Sequence, residues 1–144
     1  MARRKASGEL LLVRKTISLA LAKQMVAAAE AEAATNLWNV VIAIVDEGGH
    51  LILLHRMDDT QLASVEVAPR KARTAAMFRR STKVLEDAVK GGRTPVLNLA
   101  QDITPVQGGL PVISGGRVIG GIGVSGVDSG QDEQIARAGT GVVK

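Results

Sequence analysis

The chain has 144 residues, 46% of them hydrophobic, and carries no cysteine, one tryptophan, one phenylalanine and no tyrosine. That length suits one domain, with a core built from Ala, Val, Ile and Leu. The composition excludes disulfides, thiolate metal sites, iron–sulfur clusters and a cysteine nucleophile, and Trp38 and Phe78 cannot make an aromatic platform for single-stranded nucleic acid. Of the net charge of +4, the excess lies in residues 1–15, where Arg3, Arg4, Lys5, Arg14 and Lys15 face only Glu9. We read 1–15 as a basic arm and 16–144 as the domain. A short arm is commonly just solvated, which argues against a nucleic-acid partner. Residues 70–93 hold eight basic and two acidic groups, a local region suited to an anionic ligand.

In chain order, residues 18–35 are strong helix formers, with Ser18 placed to cap and Leu19, Ala22, Met25, Val26 and Ala29 on one face. Residues 39–45 (NVVIAIV) form a β-branched run, apolar on both faces, as in a central strand. Asp46-Glu47-Gly48-Gly49 supplies a turn and 50–57 a second strand, making an antiparallel hairpin. Residues 61–80 return to helical spacing, with Pro69 expected to kink the helix or divide it. A short helix follows over 82–89. Residues 94–107 hold two prolines and read as an irregular connector with a possible strand at 96–99. Strands at 110–113 and 118–124 flank Ser114-Gly115-Gly116, and a helix over 131–142 is capped by Asp128 or Ser129. Hairpins separated by helices, without βαβ repeats, give an α+β class with one antiparallel sheet. No window supports an export signal or a membrane helix, so the chain reads as cytoplasmic.

The chemistry-bearing residues are few. His50 and His55 lie five apart in one predicted strand, so they point to opposite faces and cannot share an ion within a subunit. Either could be a lone haem axial ligand, or simply packed. Gly121, Gly123 and Gly126 make a loose GxGxxG, but the last acidic residue is Glu133 and no βαβ unit is present, so a dinucleotide site is rejected. Gly108-Gly109 before a strand, and Ser125 at a strand end before a helix, could offer amides and a hydroxyl to a small anion; Gly120 and Gly121 read better as close-packing positions. Arg56 closes the first hairpin, beside Asp58 and Asp59. On the central helix Lys71 and Thr74 share a face, where Lys71 could anchor a carboxylate, act as a nucleophile or pair with an acid.

Four blocks in order, VVIAIVDEGGHLILLHRMD, KARTAAMF, GGLPV and VIGGIGVSGVDSGQDEQIA, resemble the GlcG/HbpS family, also called the haem-degrading domain, which is related to the C-terminal domain of PduO-type cobalamin adenosyltransferases. The resemblance spans Thr16 to Gly139. It implies a profilin-like or PAS-like fold, a five-stranded antiparallel sheet flanked by helices, assembled as dimers or octamers. It also implies haem or a related tetrapyrrole as ligand, for sensing, storage or slow degradation, and a pocket near Arg56, Lys71, Thr74, Gly108, Gly109 and Ser125, with His50 or His55 as candidate haem ligand. This chain has DDTQ after its RM motif where the family commonly has a DGA-type turn. The alternatives are an enzyme acting on a hydroxy acid or aromatic carboxylate through Arg56 and Lys71, and an accessory partner of a catabolic enzyme.

Overall fold

The computed structural model describes residues 10–144; Arg3, Arg4, Lys5 and Glu9 of the basic arm lie outside the described residues. The elements run α1 (Leu19–Thr35), β1 (Val41–Asp46), β2 (Leu51–Arg56), α2 (Ser64–Phe78), α3 (Thr82–Lys90), β3 (Gly109–Ser114), β4 (Arg117–Ser125) and α4 (Ser129–Thr140). Among the described residues the sheet has four strands in the order β2-β1-β4-β3, all neighbours antiparallel. Among the described residues the fifth strand expected from the family resemblance is not found, Leu12 making only an isolated bridge. The segment offered for a possible strand, 96–99, lies instead in and just after a short 3-10 turn over Thr94–Asn98. Pro95 in its first turn favours that geometry, since its fixed φ suits a helical start and its missing N–H is not needed there.

β1 lies in the middle of the sheet and is buried on both faces, as its unbroken β-branched run predicts. Val40, Ile42 and Ile44 join the larger core with Met25, Val26, Ala29, Ile122, Val124 and Ile135, beneath α1 and α4. Val41, Ala43 and Val45 point the other way, onto Ala68, Ala72 and Ala76 of α2. The sheet is therefore a filling between two helical layers.

The approach of α2 depends on missing side chains. A Cβ built on Gly123 would stand 2.1 Å from the Ala68 carbonyl oxygen, and one on Gly121 2.3 Å from that of Ala72. Gly109 stands in the same relation to the Lys71 carbonyl, at 2.3 Å. No L side chain fits such gaps, so alanines above and glycines below set the helix directly on the sheet. This contact also accounts for Pro69, which is inside α2 without dividing it. Ala68 and Ala72 on either side of it are fully buried, and their packing outweighs the roughly 3 kcal/mol that an interior proline costs.

The helix ends follow local chemistry. The Ser18 hydroxyl accepts from the Leu21 amide at 3.1 Å. Asp128 and Gln131 form a reciprocal capping box on α4, which selects Asp128 over Ser129 as the cap. α1 ends with Trp38 N donating to Ala33 O at 2.9 Å, and Leu37 takes the left-handed conformation (φ 59°) at the position that usually belongs to glycine. Asp59, in the DDTQ departure, is also left-handed (φ 61°), the conformation that a glycine supplies more readily.

Candidate functional site

The strand register brings several of the candidate residues to one end of the sheet. Val41 pairs with Arg56 on one side and Ser125 on the other, so all three lie in a row facing the start of α2. There the buried Ser125 hydroxyl donates to Ser64 Oγ at 3.0 Å, and Gln61 Nε2 donates to the same oxygen at 3.0 Å. The loop from Arg56 to Leu62 surrounds an open hollow of about 730 Å³ beside this row, lined also by Asp58, Asp59 and Thr60. Of the residues singled out from the sequence for ligand binding, Arg56 lines this hollow.

Lys71 and Gly108 meet deeper in the fold. The Lys71 side chain is 3% exposed, and its Nζ donates to Val124 O and Asp132 Oδ2, both at 3.0 Å. The other carboxylate oxygen accepts the Val127 amide at 3.1 Å. Burial pushes the Asp132 carboxyl above the usual aspartate range; the Lys71 ammonium and the Val127 amide oppose that shift without cancelling it. A Cβ on Gly108 (φ +130°) would stand 2.7 Å from Lys71 Nζ, so glycine is what allows the backbone to pass the ammonium. The Gly109 amide donates to Thr82 Oγ1 at 2.9 Å. Thr74 Oγ1 donates to Arg70 O at 2.8 Å and accepts the Thr104 amide at 3.0 Å, at the floor of a cleft of about 20 Å³. These groups are engaged with the protein itself. Asp132, Thr82 and Ser64 are the partners that sequence reasoning did not supply; each lies 27 to 61 residues away from the group it meets.

The histidines part as their spacing suggests, for a modified reason. β2 begins at Leu51, so His50 belongs to the turn, with an 80% exposed side chain 3.4 Å from Asp46 Oδ1. His55 pairs with Ile42 and faces α1, where its Nδ1 meets the Glu30 carboxylate; the ring is about half exposed. In a neutral ring that carboxylate selects the tautomer with the proton on Nδ1, which leaves the Nε2 lone pair directed away from Glu30. Among the described residues no group of three or more His, Asp or Glu is placed to hold a metal ion.

The model of the family described as haem degrading protein HbpS-like matches residues 17–141. The chain belongs to the HbpS-like family. Among its relatives, the protein GlcG of Escherichia coli K12 is 44% identical over 109 residues, covering 76% of this chain and 81% of GlcG. A double mutant of Streptomyces reticuli HbpS superposes with a TM-score of 0.88 at 32% identity, covering 100% of this chain and 98% of that one. A PduOC–haem complex superposes with a TM-score of 0.83 at 32% identity, covering 90% and 96%. The HbpS-like assignment thus takes in the whole sandwich, from Ile17 against the sheet to the last turn of α4. Among the described residues, no helix of this HbpS-like chain is long and apolar enough to cross a membrane.

Proposed function

We propose that this HbpS-like protein is a homo-oligomer that binds haem or a related tetrapyrrole, for sensing, storage or slow degradation. The observation that carries the reading is the PduOC–haem complex, a haem-bound protein matched over 90% of this chain at 32% identity. The donor set fits a haem. His55 combines an exposed ring with a carboxylate on Nδ1, the arrangement by which a protein orients an imidazole and raises its basicity as a ligand. His50 has only the short Asp46 turn beside it and no second element to fix its ring. A bound haem would supply the Lewis-acidic and redox-active iron, and the chain would supply the His55 imidazole; Arg56 lies on the opposite face of β2.

Titration of the purified protein with hemin tests this. The expected result is a saturable shift of the Soret band that is lost or moved to shorter wavelength in His55→Ala and kept in His50→Ala. An unshifted band in the wild type would end the haem reading, and identical spectra in His55→Ala would end the ligand assignment. The enzyme of small carboxylates receives less support, because Lys71 and the Gly109 amide already have protein partners and Arg56 alone remains exposed for an acid.

A further inference from the structure

The hollow beside Arg56 carries both signs of charge and pairs neither. Arg56, Asp58 and Asp59 all line it and are exposed, yet among the described residues the guanidinium meets no carboxylate within ion-pair distance. Its volume of about 730 Å³ is that of a small-molecule pocket rather than of a water site. A cation on one part of a wall and carboxylates on another suit a ligand that is itself dipolar. Asp59 sharpens the point. It holds a left-handed backbone (φ 61°) that a glycine would adopt more readily, and what it brings in exchange is a second carboxylate in the hollow.

A separate observation comes from the buried hydroxyls. Ser64 Oγ accepts from both Ser125 Oγ and Gln61 Nε2, so its own proton has no acceptor among the described residues. Ser64 is fully buried, and buried donors in folded chains are paired. Gln61 lines the hollow, which puts this unpaired proton directly behind the wall. α2 starts at the same corner with no side chain capping its amides, so its positive end adds to the attraction for an anion.

We propose that this hollow binds a small zwitterion, an apolar α-amino acid. Arg56, Gln61 and the Ser64 hydroxyl take its carboxylate, and Asp58 and Asp59 take its ammonium. Met57 and Leu62 supply the apolar part of the wall, where Leu62 is 74% exposed until something covers it. A divalent cation fits less well, since the guanidinium repels it and no three His, Asp or Glu are gathered there among the described residues. Arg56 and His55 are neighbours in β2 and face opposite sides of the sheet, so the site is independent of haem.

Calorimetry on the full chain with L-leucine, isocaproate and isoamylamine tests this, isocaproate lacking the ammonium and isoamylamine the carboxylate. Leucine is expected to bind saturably, and each half-ligand at least about ten-fold more weakly. Arg56→Gln and the Asp58→Asn/Asp59→Asn double variant should each weaken leucine by roughly ten-fold, with urea unfolding close to wild type. Isocaproate binding as tightly as leucine would overturn the zwitterion and leave a plain carboxylate site. No heat with leucine and no thermal shift with any apolar amino acid would overturn the site itself, as would leucine binding that survives both variants. The hemin Soret shift should be the same in Arg56→Gln as in the wild type, so this reading and the haem reading fail separately.

Discussion

Lys71 and Asp132 hold two formal charges in an almost dry interior, and the stability of such a pair lies in its completeness. Removing one partner strands the other. Asp132→Asn or Lys71→Met should therefore cost about 3–5 kcal/mol, read from urea unfolding, whereas Lys71→Met together with Asp132→Leu should cost far less. The pair also has a pH signature. The folded carboxyl binds its proton more tightly than the unfolded one, whose ordinary value is 3.8. Its contribution is fully present below that value and is lost as pH rises through the raised folded value. The wild type should thus show a fall in unfolding free energy above pH 4 that is absent in Asp132→Asn; equal slopes would contradict the raised carboxyl. Lys71 illustrates how much of the site could be read in advance. Its place among alanines offered pairing with an acid as one of several readings, but the acid lies 61 residues further on, and pairing across that separation depends on topology.

At the scale of elements, local chemistry announced itself. Ser18, the Asp46–Gly49 turn and Asp128 act where their residue types predict, because caps and turns are settled within a few residues. Of the two outcomes expected at Pro69, a kink or a division, the division is not seen, because tertiary packing under α2 outweighs a local preference. The 3-10 turn at Thr94–Asn98 was missed because a five-residue segment with two apolar positions has no period to detect. Three predictions belong here. Gly123→Ala should lift α2 from the sheet and destabilise the protein by at least about 3 kcal/mol. Gly130→Ala, at a position with open space around it, should stabilise α4 by roughly 0.5–1 kcal/mol; comparable costs for both would mean the helix is not seated as described. Leu37→Gly should relieve the left-handed strain at the end of α1 and raise stability by about 1 kcal/mol. A lower melting temperature would mean that the 88% exposed Leu37 is covered in the assembled protein.

For the whole molecule, four sequence blocks set a fold class and a family, and the sandwich of helices around one antiparallel sheet agrees with both. Strand count was the weaker inheritance: the sheet has four strands among the described residues where the resemblance implied five. Ligand binding is also a property of the whole, because any molecule held only by the folded state shifts the global equilibrium. Hemin at a hundred times its dissociation constant should add about 2.7 kcal/mol to the unfolding free energy. The gain should vanish in His55→Ala, as seen by calorimetry; a gain that persists would place the ligand elsewhere.

The glycine floor under α2 has a consequence beyond space. Where a Cβ would stand, Gly109, Gly121 and Gly123 each direct an α-hydrogen at a helix carbonyl oxygen, those of Lys71, Ala72 and Ala68. These contacts have the form of Cα–H···O=C bonds, weak individually but repeated along one face. The carbonyls of α2 would then serve two masters, the amide one turn on and the strand beneath, so that the helix is held to the sheet backbone to backbone. Such a joint survives wide variation of side chains above and around it, and it marks these glycine protons as the ones to find shifted downfield in a proton spectrum.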